Sequence, residues 1–335
     1  MRILLTSCGG FFVKYLIKEI KKDNISKDLF VLGVDENKIK KIKYFNKIYQ
    51  VKYKNKKNYI SNIIKICNKY KISLIVPLSD KESLIISEFR KIFSKLGIKI
   101  LVNNYNLIKK IQNKLYVYKK IQKYKIRVPK YFLIKNKKEF KAKLKKFLFP
   151  LKPVVLKPIS LSGGRGVIVL KSNSKKINNK IKVGKREKKI NIKNFDLDKF
   201  MKRFGNFIMM EHLKKPSYDV DYFNYNKQEL ISVRERINPS GIPYKGNIVK
   251  NDKKIENYCK KIAKALNLKG LVDFDLMSDQ KNRPVLLELN TRPSGSIVVN
   301  HLAGFKFFSV ILSIIFRKKY KYSKKFKGNK RIQIK

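Results

Sequence analysis

The sequence has few of the residues that build zinc clusters or disulfide frameworks. Its 335 residues include three cysteines, Cys8, Cys67 and Cys259, which lie far apart and form no CxxC pair. Two histidines, His212 and His301, are the other soft ligands. Neither a zinc site nor a disulfide framework is indicated, and we expect a protein suited to the reducing cytoplasm.

Long hydrophobic runs are lacking as well. The longest run, FFSVILSIIF at 307–316, falls well short of the ~20 apolar residues that cross a bilayer, so it predicts a buried helix. The opening MRILLTSCGG predicts a first strand, because its apolar run is too short for a signal peptide. A helix on a membrane surface, followed by the basic segment RKKYKYSKKFK, is the alternative for 307–327.

Acidic residues are scarce beside basic ones. The chain has 23 Asp and Glu against 82 Lys and Arg, for a formal net charge of +59. Such an excess is typical of nucleic-acid-binding proteins. However, the lysines are spread along the whole chain with abundant Asn, Ile, Phe and Tyr, and a genome biased to A/T-rich codons explains that composition. We expect non-specific attraction for polyanions and no specific nucleic-acid partner.

Short apolar runs alternate with helical stretches over the first hundred residues. Strands are predicted at 3–8, 29–35, 73–80 and 98–103, and helices at 59–71 and 82–97. This alternation predicts a doubly wound parallel sheet, with the residues that end its strands along one ligand-binding edge. The CGG after the first strand is not the GxGxxG of a dinucleotide site.

The remaining chain mixes helices with paired strands. One helix is predicted around Ile111, Leu115, Tyr118 and Ile121, ending before an extended Val128-Pro129 step. Later apolar runs predict strand pairs, among them LVDFDLMS with RPVLLELNT.

A glycine-rich turn lies in VVLKPISLSGGRGVIVL, at 154–170. It is not a Walker A loop, since it leads into a strand and lacks the Gly-Lys-Ser/Thr that opens a helix. Glycines between two strands still let backbone N–H groups approach phosphate, and Lys157 before the turn adds a charge. A plain hairpin with a solvated lysine is the alternative.

Carboxylates and an amide occur at alternate positions of two successive strands. Asp273 and Asp275 share one face of VDFD, and Glu288 and Asn290 share one face of LELN. Hard oxygens on adjacent strands suit Mg²⁺, which takes few protein ligands plus substrate phosphates. The alternative is that these carboxylates pair with lysines. Arg292, two residues on, points the same way and suits a transferring phosphoryl group.

A third motif is IMMEHL at 208–213, an apolar strand that ends in polar residues. Glu211 and the backbone through His212 and Leu213 suit an adenine edge, while a strand that merely reaches the surface is the alternative. His212 fits a residue lining the site better than a catalytic base.

Taken together, these motifs resemble the ATP-grasp superfamily, most closely the single-unit carbamoyl-phosphate-synthase-like branch. The resemblance covers about residues 1–315 and rests on residues in NKLYVYKK, SGGRGV, MMEHL, SYDVDYF, VDFD and LELNTRPSGS. It implies a Rossmann-like pre-ATP-grasp domain at 1–105 and an ATP-grasp domain at 106–316. The latter has two α+β subdomains, the lid being about 127–212, and 317–335 is left as a basic C-terminal tail.

The resemblance also implies roles for individual residues. ATP would be bound by Lys114, Lys157, Gly163, Gly164, Gly166, Glu211, His212, Leu213 and Asp221. One or two Mg²⁺ ions, or Mn²⁺, would be held by Asp273, Glu288 and Asn290. Arg292 would steady the phosphorylated intermediate, and Arg234, with Arg236, would face the acyl substrate. Two departures from the family pattern stand out. Ser217 replaces a ribose-binding glutamate, with Asp219 or Asp221 as substitutes. The metal site has Asp273 where relatives often have Glu or Gln, and either Asp273 or Asp275 is the ligand.

The expected activity follows from this set. It is a cytoplasmic, ATP- and Mg²⁺-dependent ligation of a small-molecule carboxylate to an amine or thiol, through an acyl-phosphate, with release of ADP and phosphate. A homodimer is compatible with this activity. A basic nucleic-acid-binding protein and an ATP-binding regulatory module without chemistry are the alternatives.

Overall fold

The computed structural model describes residues 1–40, 42–161, 164–172, 188–237, 246–322 and 330–332. Within these ranges the strands form three sheets, two of five strands and one of six. The helices are α1 (Val13–Lys21), α2 (Lys56–Tyr70), α3 (Asp80–Glu88), α4 (Arg90–Lys95), α5 (Tyr105–Ile111), α6 (Lys114–Gln122), α7 (Lys137–Lys146), α8 (Leu197–Phe204), α9 (Lys253–Leu266), α10 (Val298–Leu302) and α11 (Phe307–Phe316).

The first sheet is parallel, in the order β3-β2-β1-β4-β5. Its strands are β1 (Arg2–Thr6), β2 (Phe30–Asp35), β3 (Lys47–Gln50), β4 (Leu74–Pro77) and β5 (Lys99–Ile100). Their side chains are mostly buried, because parallel sheets carry helices on both faces. The predicted Rossmann-like architecture is confirmed. The sequence reading missed β3 and α1, and the helix expected at 82–97 is two helices that meet at Phe89.

The buried helix predicted at 307–316 is α11, whose residues share a hydrophobic core with this first sheet. Phe307, Phe308 and Val310 share one hydrophobic core with Ile3 and Leu5 of β1. A surface location for the helix is therefore wrong, since its apolar side chains already have a partner inside the protein. In the part of the chain that the structure describes, no helix is long and apolar enough to cross a membrane.

The second sheet has the order β6-β10-β7-β8-β9. It comprises β6 (Tyr131–Ile134), β7 (Val154–Pro158), β8 (Ile168–Lys171), β9 (Lys188–Asn191) and β10 (Phe207–Glu211). All five strands come from 131–211, inside the range predicted for the lid. As predicted, β7 and β8 pair antiparallel about the glycine turn, with Val154 opposite Leu170.

The third sheet has the order β15-β14-β11-β12-β13-β16 and pairs antiparallel throughout. It comprises β11 (Lys214–Tyr225), β12 (Gln228–Arg236), β13 (Asn247–Lys250), β14 (Gly270–Ser278), β15 (Pro284–Asn290) and β16 (Lys330–Ile332). The segment expected to be a basic tail therefore supplies an edge strand. The order of a Rossmann-like unit followed by two mixed α/β units agrees with the fold predicted from the sequence.

The helix predicted around 111–121 is also two helices, α5 and α6. Asn113 separates them, because its side chain accepts a hydrogen bond from the Tyr116 N–H at 3.0 Å and so caps α6. The break makes Lys114 the first residue of α6. A continuous helix would have left this lysine in mid-helix, so the cap decides where its side chain lies.

Candidate functional site: a nucleotide and metal cleft

Lys114 is held between the glycine turn and the third sheet. Its backbone N–H donates to the Ile159 carbonyl at 3.1 Å, and its Nζ donates to the Leu161 carbonyl, at the start of the turn. The same Nζ lies 3.3 Å from Glu288 Oε1, and the whole residue is 6% exposed. A buried ammonium is costly unless it is paired, so this arrangement fixes a positive charge at one place.

Lys157 lies on β7 and is as deeply buried as Lys114, at 7% exposure. It is opposite Ile208 of β10 in the second sheet. Burial raises the pKa of the Glu288 carboxyl, and the charges of Lys114 and Lys157 act against that rise. Lys114 therefore contacts Glu288, and the charge of Lys157 acts on the same carboxyl, although 43 positions separate the two lysines in the chain.

The glycine turn is partly described. Gly163 lies outside the described residues, whereas Gly164 and Gly166 adopt positive φ angles of 73° and 75°. A Cβ on Gly166 would lie 2.7 Å from Pro158 Cγ and 2.8 Å from Phe204 Cζ. Glycine is therefore required at 166 for both conformation and space, which fits a turn that packs closely on its own sheet.

An apolar cluster lies between the second and third sheets. Leu213 is buried there with Val155, Ile208 and Met210, and Met277 and Leu287 pack against them from the third sheet. Apolar side chains of this kind line most small-molecule sites. At its edge, Glu211 and Lys130 exchange two hydrogen bonds: the Lys130 N–H donates to Glu211 Oε1 at 2.7 Å, and the Glu211 N–H donates to the Lys130 carbonyl at 3.0 Å.

His212 follows β10 at this edge, and its carbonyl accepts a 3.5 Å contact from Gln280 Nε2. The structure therefore places Leu213 inside this apolar cluster and Glu211 and His212 at its edge. Their contact with adenine stays a prediction.

Polar residues cross four adjacent strands of the third sheet in two rows on one face. In each row the residues are directly opposite one another, and the rows are two residues apart along every strand. The first row is Asn290, Asp273, Asp221 and Ser232; the second is Glu288, Asp275, Asp219 and Arg234. The predicted metal residues thus share one face.

Asp273 and Asn290 are the pair in these rows with oxygens left open. Asn290 Nδ2 donates to Asp273 Oδ2 at 3.0 Å, while Asp273 Oδ1 and Asn290 Oδ1 are buried with no hydrogen-bond partner. Burial raises the pKa of the Asp273 carboxyl well above its ordinary value, and the charges of Asp219 and Asp221 add to the rise. Uncompensated buried oxygens of this kind are suited to a hard cation.

The donor set fits Mg²⁺ bound jointly by protein and phosphate. Within the described ranges, no group of three or more His, Cys, Asp or Glu side chains is arranged to hold a metal by itself. Asp273, Glu288 and the Asn290 amide oxygen would therefore hold the ion with phosphate oxygens completing its shell, as Mg²⁺ prefers. Asp275 is less suited to the role, because its Oδ1 lies 2.8 Å from Arg236 Nη2.

Arg234 and Asp221 lie apart from the two lysines, in a closed network. Arg234 is fully buried, and its Nη2 lies 2.7 Å from Asp221 Oδ2, while its Nε donates to Ser296 Oγ at 2.9 Å. Asp221 Oδ1 also accepts from the Ser294 N–H at 2.8 Å. The geometry favours a clamp between β11, β12 and the segment after β15 over direct contact with ribose or an acyl substrate.

Arg236 and Asp219 form the other half of this network. Arg236 Nε donates to Asp219 Oδ1 at 2.9 Å, and Ser296 Oγ donates to Asp219 Oδ2 at 2.9 Å. Neither Asp219 nor Asp221 thus presents itself as a free substitute for the glutamate that Ser217 replaces. The pairing of these four charged residues across strands was not predicted, although their alternation in DVD and RER is the signal from which it follows.

Arg292 lies beside the metal rows and contacts the start of α3 in the N-terminal domain. Its Nε lies 3.5 Å from Asp80 Oδ2, and Asp80 Oδ1 accepts from the Thr291 N–H at 3.0 Å. Burial lowers the pKa of the Arg292 guanidinium, but Asp80, Asp273 and Glu288 raise it above its ordinary value. The charges of Asp273 and Glu288 thus act on Arg292, and Asp80, one of the strand-end residues expected at the ligand-binding edge, acts on it as well.

Two family models match parts of the sequence. Residues 203–334 match "ATP-grasp in the biosynthetic pathway with Ter operon", and residues 3–101 match "PylC-like, N-terminal domain". The predicted resemblance to the ATP-grasp superfamily is thus confirmed by a family model over residues 203–334, and residues 3–101 resemble a PylC-like N-terminal domain. No curated protein matches the sequence at a significant level.

Solved structures share the fold over nearly the whole chain. N5-carboxyaminoimidazole synthetase from Staphylococcus aureus, complexed with ADP, has a TM-score of 0.69 at 15% identity, covering 99% of this chain and 81% of that one. Biotin carboxylase from Campylobacter jejuni has a TM-score of 0.69 at 18% identity, covering 98% and 74%. L-amino acid ligase from Bacillus licheniformis has a TM-score of 0.63 at 11% identity, covering 93% and 73%. The fold is thus that of ATP-grasp ligases.

Removing the charge of Asp273 should stabilise the ligand-free protein. Because the folded-state pKa of this carboxyl lies above its unfolded value, its contribution to stability falls as pH rises through and above the unfolded pKa. At neutral pH, Asp273→Asn should raise the free energy of unfolding by about 1–3 kcal/mol, the scale of a buried unsatisfied group. Thermal melts from pH 4 to pH 8 measure this. A variant less stable than wild type at pH 8 would contradict it.

Lys157→Ala should weaken nucleotide binding. The lost interaction is a hydrogen bond to a charged group, of about 1.5–3 kcal/mol, or roughly a 10- to 150-fold rise in Kd for MgADP. Isothermal titration measures the change, with Lys189→Ala, an exposed lysine of the same sheet, as the matched control. Equal affinity in the two variants would return Lys157 to the plain-hairpin interpretation.

Proposed function

We propose that this protein is an ATP- and Mg²⁺-dependent ligase that joins a small-molecule carboxylate to an amine or thiol. The observation that carries the proposal is the ion pair of buried Lys114 with Glu288, next to Asp273 and Asn290 with their open oxygens, while the charge of buried Lys157 acts on the same Glu288 carboxyl. A folded protein bears such buried charge and open polarity at a cost, and polyphosphate with a divalent cation complements both.

The chemistry follows from what this cleft concentrates. Lys114, Lys157 and the glycine turn hold the phosphates, and the apolar residues around Leu213 contact the base. Bound Mg²⁺ would supply Lewis acidity at the phosphates. A carboxylate oxygen of the substrate attacks the γ-phosphorus, the bond to the bridging oxygen of ADP breaks, and Arg292 stabilises charge on the transferring group. The amine then attacks the acyl carbon, phosphate leaves, and the amine loses a proton.

The buried arginine network supports separate roles for the residues that position the site and the residues that contact the reacting group. Arg234 and Arg236 are tied to Asp221 and Asp219, so they hold β11, β12 and the segment after β15 in one arrangement. Rigid support of this kind keeps reacting groups within the small tolerances that catalysis needs. We therefore assign Arg234 and Asp221 to positioning within the proposed site, and Arg292 to the reacting group.

Product analysis tests the proposal. Candidate carboxylic acids and amines are incubated with MgATP and screened for nucleotide products, with hydroxylamine as a general trap for an acyl-phosphate. We expect ADP and phosphate, together with a hydroxamate when the right carboxylate is present. Accumulation of AMP in step with product would overturn the mechanism, because it places bond cleavage at the α-phosphorus.

The two alternatives lack comparable support. An ATP-binding regulatory module has no need of Arg292 beside two metal-binding carboxylates. It would be favoured if MgADP bound but no acid and amine pair released ADP. For nucleic acid, the +59 charge is the motive, but the charge is dispersed and no readout motif accompanies it.

Nucleic-acid binding, where seen, should be non-specific and strongly dependent on salt. Counterion release by dispersed lysines predicts a loss of roughly 1,000-fold in affinity between 50 and 200 mM salt, the same for unrelated sequences. Competition between unrelated duplexes at physiological salt measures this. A preference of ~100-fold for one duplex would favour the nucleic-acid-binding alternative instead.

A further inference from the structure

Asp80 carries a contact from the N-terminal domain to the proposed reaction centre. It is the first residue of α3, separated from β4 by two residues, and Ser79 caps that helix by accepting the Glu82 N–H. Its Oδ1 accepts from the Thr291 N–H at 3.0 Å and from Thr291 Oγ1 at 3.2 Å. Its Oδ2 lies 3.5 Å from Arg292 Nε. The Asp80 carboxylate thus accepts hydrogen bonds from both the backbone and the side chain of Thr291, in the segment that follows β15.

The contact with Asp80 helps to fix the direction of the Arg292 guanidinium. Nε faces Asp80, and Nη1 donates to the carbonyl of the next residue, Pro293, at 2.9 Å. A planar guanidinium that has contacts at two of its nitrogens presents its remaining N–H groups in a direction set by those two contacts. Among the acidic groups that raise the pKa of this guanidinium, Asp80 has the largest influence, ahead of Asp273 and Glu288.

We propose that Asp80 is a positioning residue for phosphoryl transfer. From the start of α3 in the N-terminal domain, it orients the Arg292 guanidinium toward the γ-phosphoryl group of ATP. The inference rests on the proposed function, since it gives Arg292 a task in the transition state. The N-terminal domain contains neither the two phosphate lysines nor the three metal residues. The inference gives this domain a role in catalysis in addition to packing.

A purely structural link between the sheets is the competing explanation, and Asp80→Asn separates the two. The asparagine carbonyl still accepts the Thr291 N–H, so the link is kept. The partner of Arg292 is lost, because an amide N–H₂ or a neutral oxygen replaces the charged Oδ2. Thr291→Val does the reverse: it removes a hydroxyl bond to Asp80 and leaves the Arg292 contact.

Fluoroaluminate provides a readout that needs no knowledge of the acid substrate. With MgADP, aluminium fluoride mimics the transferring phosphoryl group, and such analogues bind far more tightly than ground-state ligands. For Asp80→Asn we expect a Kd for MgADP within about twofold of wild type and a 10- to 100-fold loss of the tightening by aluminium fluoride. Thr291→Val should keep the full tightening. Glu88→Gln should keep it as well, because Glu88 lies on the same helix as Asp80 but is paired with Lys56 of α2.

A double-mutant cycle completes the test. In an Arg292→Ala background, Asp80→Asn should cause no further loss, because its effect runs through the guanidinium. If Asp80→Asn does not fold, Asp80→Glu keeps the charge on a longer side chain and should show the same split between MgADP and fluoroaluminate at smaller size.

The outcomes are separable. A wild-type protein that does not bind MgADP would overturn the proposed function. A wild-type protein that binds MgADP without tightening by aluminium fluoride would overturn the role of Arg292, and with it this inference, while leaving ATP binding in place. Full tightening in Asp80→Asn, or additive losses in the cycle, would overturn the positioning role alone.

Discussion

Glu288→Gln should abolish ATP turnover while leaving the protein folded. Glutamine keeps the volume of the side chain but removes the negative charge that lies 3.3 Å from Lys114 Nζ and directly opposite Asp275. The buried ammonium then loses its counter-charge, and a divalent cation loses a carboxylate oxygen. We expect turnover to fall at least ~100-fold, the scale of a lost electrostatic contact in a water-excluded site.

Stability should change little in this variant. Burial raises the pKa of the Glu288 carboxyl, so the charged form is already disfavoured and its removal offsets the lost ion pair. Glu256→Gln is the matched control, because Glu256 is a largely buried glutamate paired with Lys253 outside the site. ADP release with a productive acid and amine pair, alongside thermal melts, measures both quantities. A folded Glu288→Gln protein with wild-type turnover at limiting Mg²⁺ would remove Glu288 from the metal site.

The third sheet shows which parts of the site the sequence predicts. Alternation within VDFD and LELN places Asp273 with Asp275, and Glu288 with Asn290, on one face, since side chains repeat every two residues in a strand. The structure confirms the adjacency of these strands and their register. Residue spacing could not decide between Asp273 and Asp275, because that choice depends on Arg236 of another strand, which lies 2.8 Å from Asp275.

Contacts between distant segments were beyond the reach of local patterns. Asp80 and Thr291 are 211 positions apart, so only the packing of α3 against the end of β15 brings them together. In the same way, the short and polar β3 carried too little hydrophobic pattern to be recognised as a strand. The capping residue Asn113 was a local signal of a new helix, but the hydrophobic periodicity around 111–121 favoured one continuous helix.

Conserving the charge but not the shape of Arg292 separates its electrostatic and geometric roles. Arg292→Lys retains a cation near Asp273 and Glu288, but an ammonium lacks the fork that contacts Asp80 and the Pro293 carbonyl together. We expect the lysine variant to fall between wild type and Arg292→Ala in kcat. A lysine variant equal to wild type would reduce the role of Arg292 to charge alone.

Arg292→Ala should lower kcat by about 100- to 1,000-fold and raise the KM for ATP far less. The guanidinium adjoins the metal rows rather than the apolar cluster around Leu213, so it acts on charge that develops at the transferring phosphoryl group. Loss of an interaction made mainly in the transition state lowers kcat and kcat/KM together, whereas loss of ground-state binding raises KM. Steady-state kinetics with a productive acid and amine pair distinguishes these cases, with Arg283→Ala, an exposed arginine bound to Asp279, as control. If KM for ATP rose 100-fold at unchanged kcat, Arg292 would be a nucleotide-binding residue, and the phosphoryl group would have to be stabilised by Lys114, Lys157 and the metal ion without it.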